Sequence, residues 1–414
     1  SITRDMTVHD SFSRNRTHSV FSSENKSPEL ARKVPHFRAK HPVFFSFRPA
    51  TCRQVRQAAG RNAYSSLMTL HIFNPSHDEA LAAHTAHYCP SRPARQLAHA
   101  LAELPLLWAA EGDVCLRLPA SGGTEGVEVP DWTAVERIEP WGWDRHIVGL
   151  LRRLGAPERL LPSDERLCAL RRMSSRETGV RWAEGLHVDD LPGVVKPRAV
   201  FCTSTAAAVE AARAMDGRAM VKQPWSCSGR GVWPFADDAA CRRRIDKAVR
   251  LQDGVEVQAR CEGLLDAAME FTVDADGKVH FEGLSLFTTA PGGAYGGNLT
   301  AHPDRLRRTW LDCAAKAGCP LSETVLETLI ERTAAHLEAC YGAGQADETM
   351  RYVGPLGVDV LGAREGWLPY VEINLRRTMG HVALAVGARF SPDRPPRLLR
   401  VADDGLHLDE WDET

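Results

Sequence analysis

Between Lys222 and Val232 the chain reads Lys-Gln-Pro-Trp-Ser-Cys-Ser-Gly-Arg-Gly-Val. A short apolar run, Ala219 to Val221, leads into Lys222, and Pro224 prevents a helix from starting there. Ser226, Ser228, Gly229 and Gly231 then form a loop of small residues. Glycine lets a backbone come close to a ligand. Successive exposed N–H groups make an anion-binding nest, which a lysine just upstream can join. The chemistry this suits is phosphate binding; a glycine-rich β-hairpin carrying a surface lysine has the same composition. No Gly-Lys-Ser/Thr follows, so the loop is not a P-loop. No helix pattern opens at its last glycine, so it is not a dinucleotide fingerprint.

A second stretch offers acids. Leu356-Gly-Val-Asp359-Val-Leu reads as a strand, Glu365-Gly366 as a turn, and Leu368-Pro-Tyr-Val-Glu372-Ile-Asn374-Leu-Arg376 as a second strand. Alternation puts Glu372, Asn374 and Arg376 on one face and Val371, Ile373 and Leu375 on the other. If the two strands pair as a hairpin, Asp359 lies beside Glu372. Two carboxylates and an amide oxygen are hard ligands suited to Mg2+ shared with substrate phosphates. An ordinary solvated strand face would show the same alternation.

Taken in order, these stretches resemble the ATP-grasp superfamily. Its flexible phosphate loop reads roughly Val-Lys-Pro, two or three residues, then Ser-Ser-Gly-x-Gly-Val. An Asp followed by Glu-x-Asn on the next strand is close to the pattern of its D-alanine–D-alanine ligases. The resemblance covers about residues 160–385. It implies an ATP-grasp fold, α/β and α+β, with a small α/β domain before it. It also implies ATP, one or two Mg2+ ions (or Mn2+), and an ADP-forming carboxylate–amine ligase working through an acylphosphate. Lys222, Ser226, Ser228, Gly229 and Gly231 would hold phosphates; Asp359, Glu372 and Asn374 would hold the metal. Arg376 would stabilise developing charge, so Arg376 and Lys222 are the catalytic candidates. Where related ligases carry Asp-Lys, this chain has Ser175-Arg176. Arg176 can serve as the phosphate contact with a forked donor, or simply end a helix that starts near Ser163. Gln258, Ala259 and Arg260 fall where the hinge runs along adenine, offering mostly backbone groups. Glu270, opening Glu-Phe-Thr-Val, is the candidate for the ribose hydroxyls. No second phosphate lysine is visible near the glycine-rich loop Ala290–Asn298; Tyr295, Asn298, His280 and loop amides are the substitutes on offer. Arg376, Arg377 and His381 are placed to meet a transferred phosphoryl group, weakly favouring an anionic substrate. A kinase on the same scaffold and a non-catalytic nucleotide-binding module are the alternatives.

The elements that must position these residues follow. At 414 residues the chain has room for two or three structural units. Residues 1–67 are Ser/Arg-rich and aperiodic, with twelve Lys/Arg against four Asp/Glu; they read as a disordered leader. Under a net charge of −2, the remaining residues therefore carry −10, which argues against a nucleic-acid surface. Residues 68–165 read as the α/β domain, 166–260 as the half with the phosphate loop, and 261–414 as the half with the metal site. Leu70-His-Ile-Phe is the first strand of that α/β domain, and Asn74-Pro-Ser-His77-Asp78 a strand-to-helix turn. Asn74, Ser76 and Asp78 are helix caps by type. The turn also lies at a strand's carboxyl end, where ligands bind open α/β sheets, and it resembles the Phe-Asn-Pro-x-His-Asp-x-Ala-Leu-Ala opening of uncharacterised bacterial ATP-grasp-type proteins. That makes His77 and Asp78 candidate substrate contacts. Leu106-Leu-Trp-Ala reads as a further strand. Eleven cysteines without a Cys-x-x-Cys point to buried thiols in a reducing compartment. With no apolar run of membrane length and no signal pattern, the expectation is a cytoplasmic enzyme of ATP and small carboxylate and amine substrates. Nucleic acid and membrane are not expected partners, and the resemblance suggests a homodimer.

Overall fold

Three sheets, each with its own helices, organise the chain. The computed structural model describes residues 68–226, 231–289, 295–402 and 405–411. The leader at 1–67, Ser228, Gly229 and the middle of the second glycine-rich loop lie outside the described residues.

The first sheet is parallel, with β1 (Met68–Ile72) between β2 (Val114–Leu116) and β3 (Val135–Pro140). Leu70, Ile72, Val135 and Ile138 join Ile147 and Leu151 of a helix at Arg145–Arg153 in its core. Strand β3 hides from a period-2 reading, because a register shift opposite Met68/Thr69 spaces its buried residues three apart. The expected strand at Leu106–Ala109 is instead a 3-10 turn, Leu104–Leu107. Pro105 has no N–H for a ladder, and Leu106 N and Trp108 N bond back to Glu103 O and Pro105 O.

The second sheet runs β4 (Ala199–Cys202), β7 (Val255–Ala259), β5 (Ala219–Lys222), β6 (Val232–Pro234). β7 is antiparallel to both neighbours and splits a β-α-β unit. Val221, Val255 and Val257 face Val209 and Ile245 of helices Thr205–Arg213 and Ala239–Gln252. Lys222 and Glu256, paired across β5 and β7, therefore sit on the opposite side.

The third sheet has seven antiparallel strands in the order β12, β11, β8, β9, β10, β13, β14. These are β8 (Gly263–Val273), β9 (Val279–Thr289), β10 (Tyr295–Thr300), β11 (Gly354–Ala363), β12 (Gly366–Asn374), β13 (Arg397–Ala402) and β14 (Gly405–Glu410). One face is apolar: Met269, Phe271, Leu286, Val358 and Ile373 pack on helices Pro303–Lys316 and Glu323–Tyr341. Alternation puts Glu270, Asp359, Glu372 and Asn374 on the other face. Part of that face is covered by the helix Met379–Gly387, whose Ala383 O accepts from Thr300 Oγ1. The α/β and α+β architecture agrees with the sequence reading. No helix among the described residues is long and apolar enough to cross a membrane.

Candidate functional site

The second and third sheets meet at Lys222. Its side chain is buried, and Nζ donates to Glu256 Oε1 at 3.0 Å and to Val371 O of β12 at 3.4 Å. Beside it lies Arg176. The helix expected to reach this residue stops at Met173 and a new one begins, capped by Ser175 Oγ accepting from Glu177 N. Arg176 is thus the first residue of the helix Arg176–Gly185, and it points inward. Its Nη1 donates to Gln223 O at 2.6 Å and Ser226 Oγ at 2.8 Å, and its Nη2 meets Glu372 Oε2 at 2.6 Å. Nε lies 3.8 Å from Glu256 Oε2. The candidate phosphate loop is necked where Gln223 N donates to Gly231 O at 2.8 Å. A Cβ on Gly231 would come within 2.3 Å of Ser226 Cβ, so the neck of the loop needs glycine.

Asp359 pairs directly with Glu372, and Gly357 with Asn374, as the hairpin reading expected. Burial, then the Glu372 charge, pushes the Asp359 carboxyl up to about 7 against the pull of Arg376 and a hydrogen bond from Asn374. Two acids held face to face, one of them driven toward protonation, are a pair that a divalent cation would relieve. Among the described residues no group of three His, Cys, Asp or Glu side chains converges. An Asn374 oxygen and phosphate oxygens would therefore complete the donor set, as Mg2+ sites commonly have it.

The first sheet supplies the opposite wall. Arg376 Nη2 donates to Asp78 Oδ2 at 2.7 Å, and Nε to both Asp78 oxygens at 3.1 Å. Nη2 also donates to Asn374 Oδ1 at 2.9 Å. Although burial opposes it, the Arg376 charge leads the interactions that hold the Asp78 carboxyl below its usual range. Ser76 makes no side-chain cap, and Asn74 Nδ2 donates to Gly142 O at 2.9 Å, so the turn is not built chiefly for capping. His77 Nδ1 lies 3.1 Å from Asp144 Oδ2. His77, Asp78, Ser226, Glu372, Asn374 and Arg376 are among the residues lining one narrow cleft, whose free volume of about 10 Å³ is that of a water site. The Arg376–Asp78 pair lines it, as does Glu372, the partner of Arg176.

Several sequence candidates fall elsewhere. Ala259 N donates to Arg198 O and Arg260 N to Arg218 O, so the sheet has taken the backbone donors expected for adenine. Gln258 is buried and Arg260 exposed. Glu270 shares the polar face but is sealed from the cleft. It packs against Gly357 and Gly380, with Oε2 3.1 Å from His381 Nδ1. Burial pushes Glu270 up to about 8 and His381 down to about 3, so His381 is neutral near pH 7 and no phosphoryl clamp. Arg377 stacks on Trp108, 4.2 Å from its ring centroid. His280 pairs with Asp274 at 2.7 Å on an exposed hairpin. Tyr295 OH donates to Asn298 Oδ1 at 2.5 Å, and Asn298 is buried against Ser285.

Two residues escaped the sequence reading. Glu256, fully buried, is the counter-charge of Lys222 and the neighbour of Arg176. Alternation against Val255 and Val257 was the available signal. Asp144, a helix cap accepting from Ile147 N at 2.8 Å, also holds His77; nothing local in the sequence signals that second contact.

No family model matches the chain, and no curated protein matches it. Solved structures similar to it include N5-carboxyaminoimidazole ribonucleotide synthetase from Thermus thermophilus, at 17% identity and TM-score 0.43, covering 80% of this chain and 83% of that one. Another is D-alanyl-alanine synthetase A from Vibrio cholerae, at 13% identity and TM-score 0.42, with 75% and 88% covered. A third is described as an ATP-grasp superfamily protein of Archaeoglobus fulgidus, at 13% identity and TM-score 0.46, with 83% and 100% covered.

Proposed function

We propose that the chain is an ATP-grasp enzyme: an ATP- and Mg2+-dependent ligase that joins a small carboxylate to an amine through an acylphosphate. The observation that carries this reading is the contact of Arg176 with Glu372 and of Lys222 with Val371 O, which joins the sheet of the phosphate loop to the Asp359–Glu372–Asn374 row. Phosphoryl transfer needs positioned charge more than covalent help. Lys222, Arg176 and the loop amides hold phosphate oxygens when a nucleotide replaces their present carboxylate partners. Asp359, Glu372 and Asn374 hold Mg2+, which when bound neutralises charge on the phosphates. Arg376, already fixed by Asp78 and Asn374, stands at the acceptor side and stabilises charge that develops there. The cleft wall from the first sheet then keeps water from the acylphosphate.

The test has two stages. MgATP should raise Tm by mass action, and the rise should vanish without Mg2+ and in Lys222→Ala. Amino acids and small carboxylates are then screened for ADP release with hydroxylamine present. A hydroxamate reports an acylphosphate. A stable phosphorylated product instead would make the enzyme a kinase, and no thermal shift at millimolar MgATP would remove the nucleotide site.

A further inference from the structure

The cleft's wall from the first sheet contains a histidine built like a base. His77 is 4% exposed and Asp144 2%. Asp144 Oδ1 accepts from Ile147 N at 2.8 Å, and Oδ2 takes Asn74 Nδ2 at 3.3 Å and His77 Nδ1 at 3.1 Å. A carboxylate with this many donors around it is an acceptor, which assigns the His77 proton to Nδ1. Nε2 is left with its lone pair, and His77 lines the cleft with Asp78, Asn374 and Arg376. The ring cannot swing away on the Gly142 side: a Cβ there would lie 2.5 Å from His77 Cδ2 and 2.6 Å from Nε2. Asn74 fixes the same segment, since its Nδ2 donates to Gly142 O at 2.9 Å. Asp144, Asn74 and Gly142 thus hold one imidazole in the cleft wall, its Nδ1 committed to Asp144. A histidine serving only as core packing has no need of an oriented carboxylate at its far nitrogen.

We propose that His77, oriented by Asp144, is the general base for the amine in the second half-reaction. The proposal rests on the ligase reading above. The amine nitrogen attacks the carbonyl carbon of the acylphosphate and a C–N bond forms. The C–O bond to phosphate breaks, and phosphate leaves with that electron pair. The ammonium gives one proton to His77 Nε2 before attack, the imidazolium that forms is stabilised by Asp144, and the second proton lost as the amide forms leaves with the phosphate. The groups facing His77 carry both signs: Asp144 from the helix Arg145–Arg153 and its cap, Asp78 from its own helix, Arg376 after β12, and Arg176 and Glu372 across the cleft.

The experiment separates the two half-reactions. A pool of the twenty amino acids supplies carboxylates, with either hydroxylamine or the pool's own amino groups as nucleophile, and hydroxamate and peptide are measured separately. Hydroxylamine is neutral at pH 7 and reports acylphosphate formation with little need of a base; an amino group is mostly ammonium and must lose a proton. In His77→Gln the peptide rate should fall about 100-fold or more, at least ten times further than the hydroxamate rate. The residual peptide rate should climb with pH from 7 to 9 while the wild-type rate levels off. His77→Gly with added imidazole provides a second variant, in which the peptide rate should recover as imidazole is raised. Equal losses of hydroxamate and peptide, or no imidazole rescue in folded protein, would overturn the base assignment and leave the ligase standing. A wild-type enzyme that forms no hydroxamate from any amino acid would overturn the amino-acid ligase reading, and the base with it.

Discussion

Glu256 and Glu270 are the two buried glutamates among the described residues, 0% and 1% exposed. They share a residue type, a depth and a strand environment, yet their surroundings assign them opposite electrical states. Glu256 lies between Lys222 at 3.0 Å and Arg176 at 3.8 Å. Glu270 lies between two glycines and an imidazole that burial keeps neutral. The first is the counter-charge beneath the proposed phosphate site. The second is a neutral acid that closes the sheet under the helix Met379–Gly387. Burial alone therefore says little about function; the charge within reach decides it.

The sharpest break between the two is the amide substitution. Glu256→Gln leaves the buried Lys222 without its counter-charge, while Arg176 keeps Glu372, and should cost about 3–5 kcal/mol in denaturant unfolding. Glu270→Gln exchanges a protonated acid for an amide of the same shape and should cost about 1–2 kcal/mol or less at pH 6. Equal losses would erase the distinction.

The pH dependence tests the same contrast on a smaller scale. Glu270, at about 8 when folded against 4.5 for a free side chain, binds a proton that the unfolded chain releases. Its stabilisation is complete below 4.5 and is lost as pH rises toward 8. His381, at about 3 against 6.5, acts in the other sense: its burial penalty fades as pH rises from 3 to 6.5. The two nearly cancel between 4.5 and 6.5, and above that Glu270 acts alone. From pH 6.5 to 8 the wild type should lose about 2 kcal/mol relative to Glu270→Gln. Asp359 also titrates upward, but it is present in both proteins and drops out of the difference. A parallel pair of stability curves would show that Glu270 is ionised after all.

Asp359 stands between the two cases, half-buried where Glu270 is sealed, and facing another acid. Asp359→Asn removes the repulsion with Glu372 and should raise stability by about 1 kcal/mol at pH 8. The same change should abolish the Mg2+-dependent part of the ATP-induced rise in Tm. A stabilised variant that still needs Mg2+ would move the metal off this row.

How much of this the sequence carried follows from which contacts are local. Lys222, Gly231 and the Asp359–Glu372–Asn374 face were legible because strand alternation and one short hairpin fix them. The Arg376–Asp78 pair spans 298 residues and the His77–Asp144 pair 67, and no periodicity encodes either. Glu256 was missed because its role depends on which strand lies beside β7. The same dependence on neighbours holds for Ala259 and Arg260, whose N–H groups, offered to adenine by the resemblance, donate to Arg198 O and Arg218 O. His381 has the right chemistry for a phosphate and the wrong depth, which composition does not reveal. Helix and strand types were largely readable; Pro105 and the β3 bulge defeated simple periodicity.

His280 supplies the opposite limit, a titratable pair in water. It is 57% exposed beside Asp274 at 38%, and the hydrogen bond from His280 leads the interactions that hold the Asp274 carboxyl below its usual range. That shift is comparable in kind to those at the cleft, yet solvent screens the pair and the flanking strands do not depend on it. His280→Ala should move Tm by no more than roughly 1 °C, and the ATP-induced rise in Tm should match the wild type. Because the chain has no second lysine near the glycine-rich loop, His280 was a candidate to replace it. A variant that keeps its fold but loses the MgATP shift would show that the β8–β9 hairpin reaches the nucleotide, and that an exposed pair can do what the buried Lys222–Glu256 pair does.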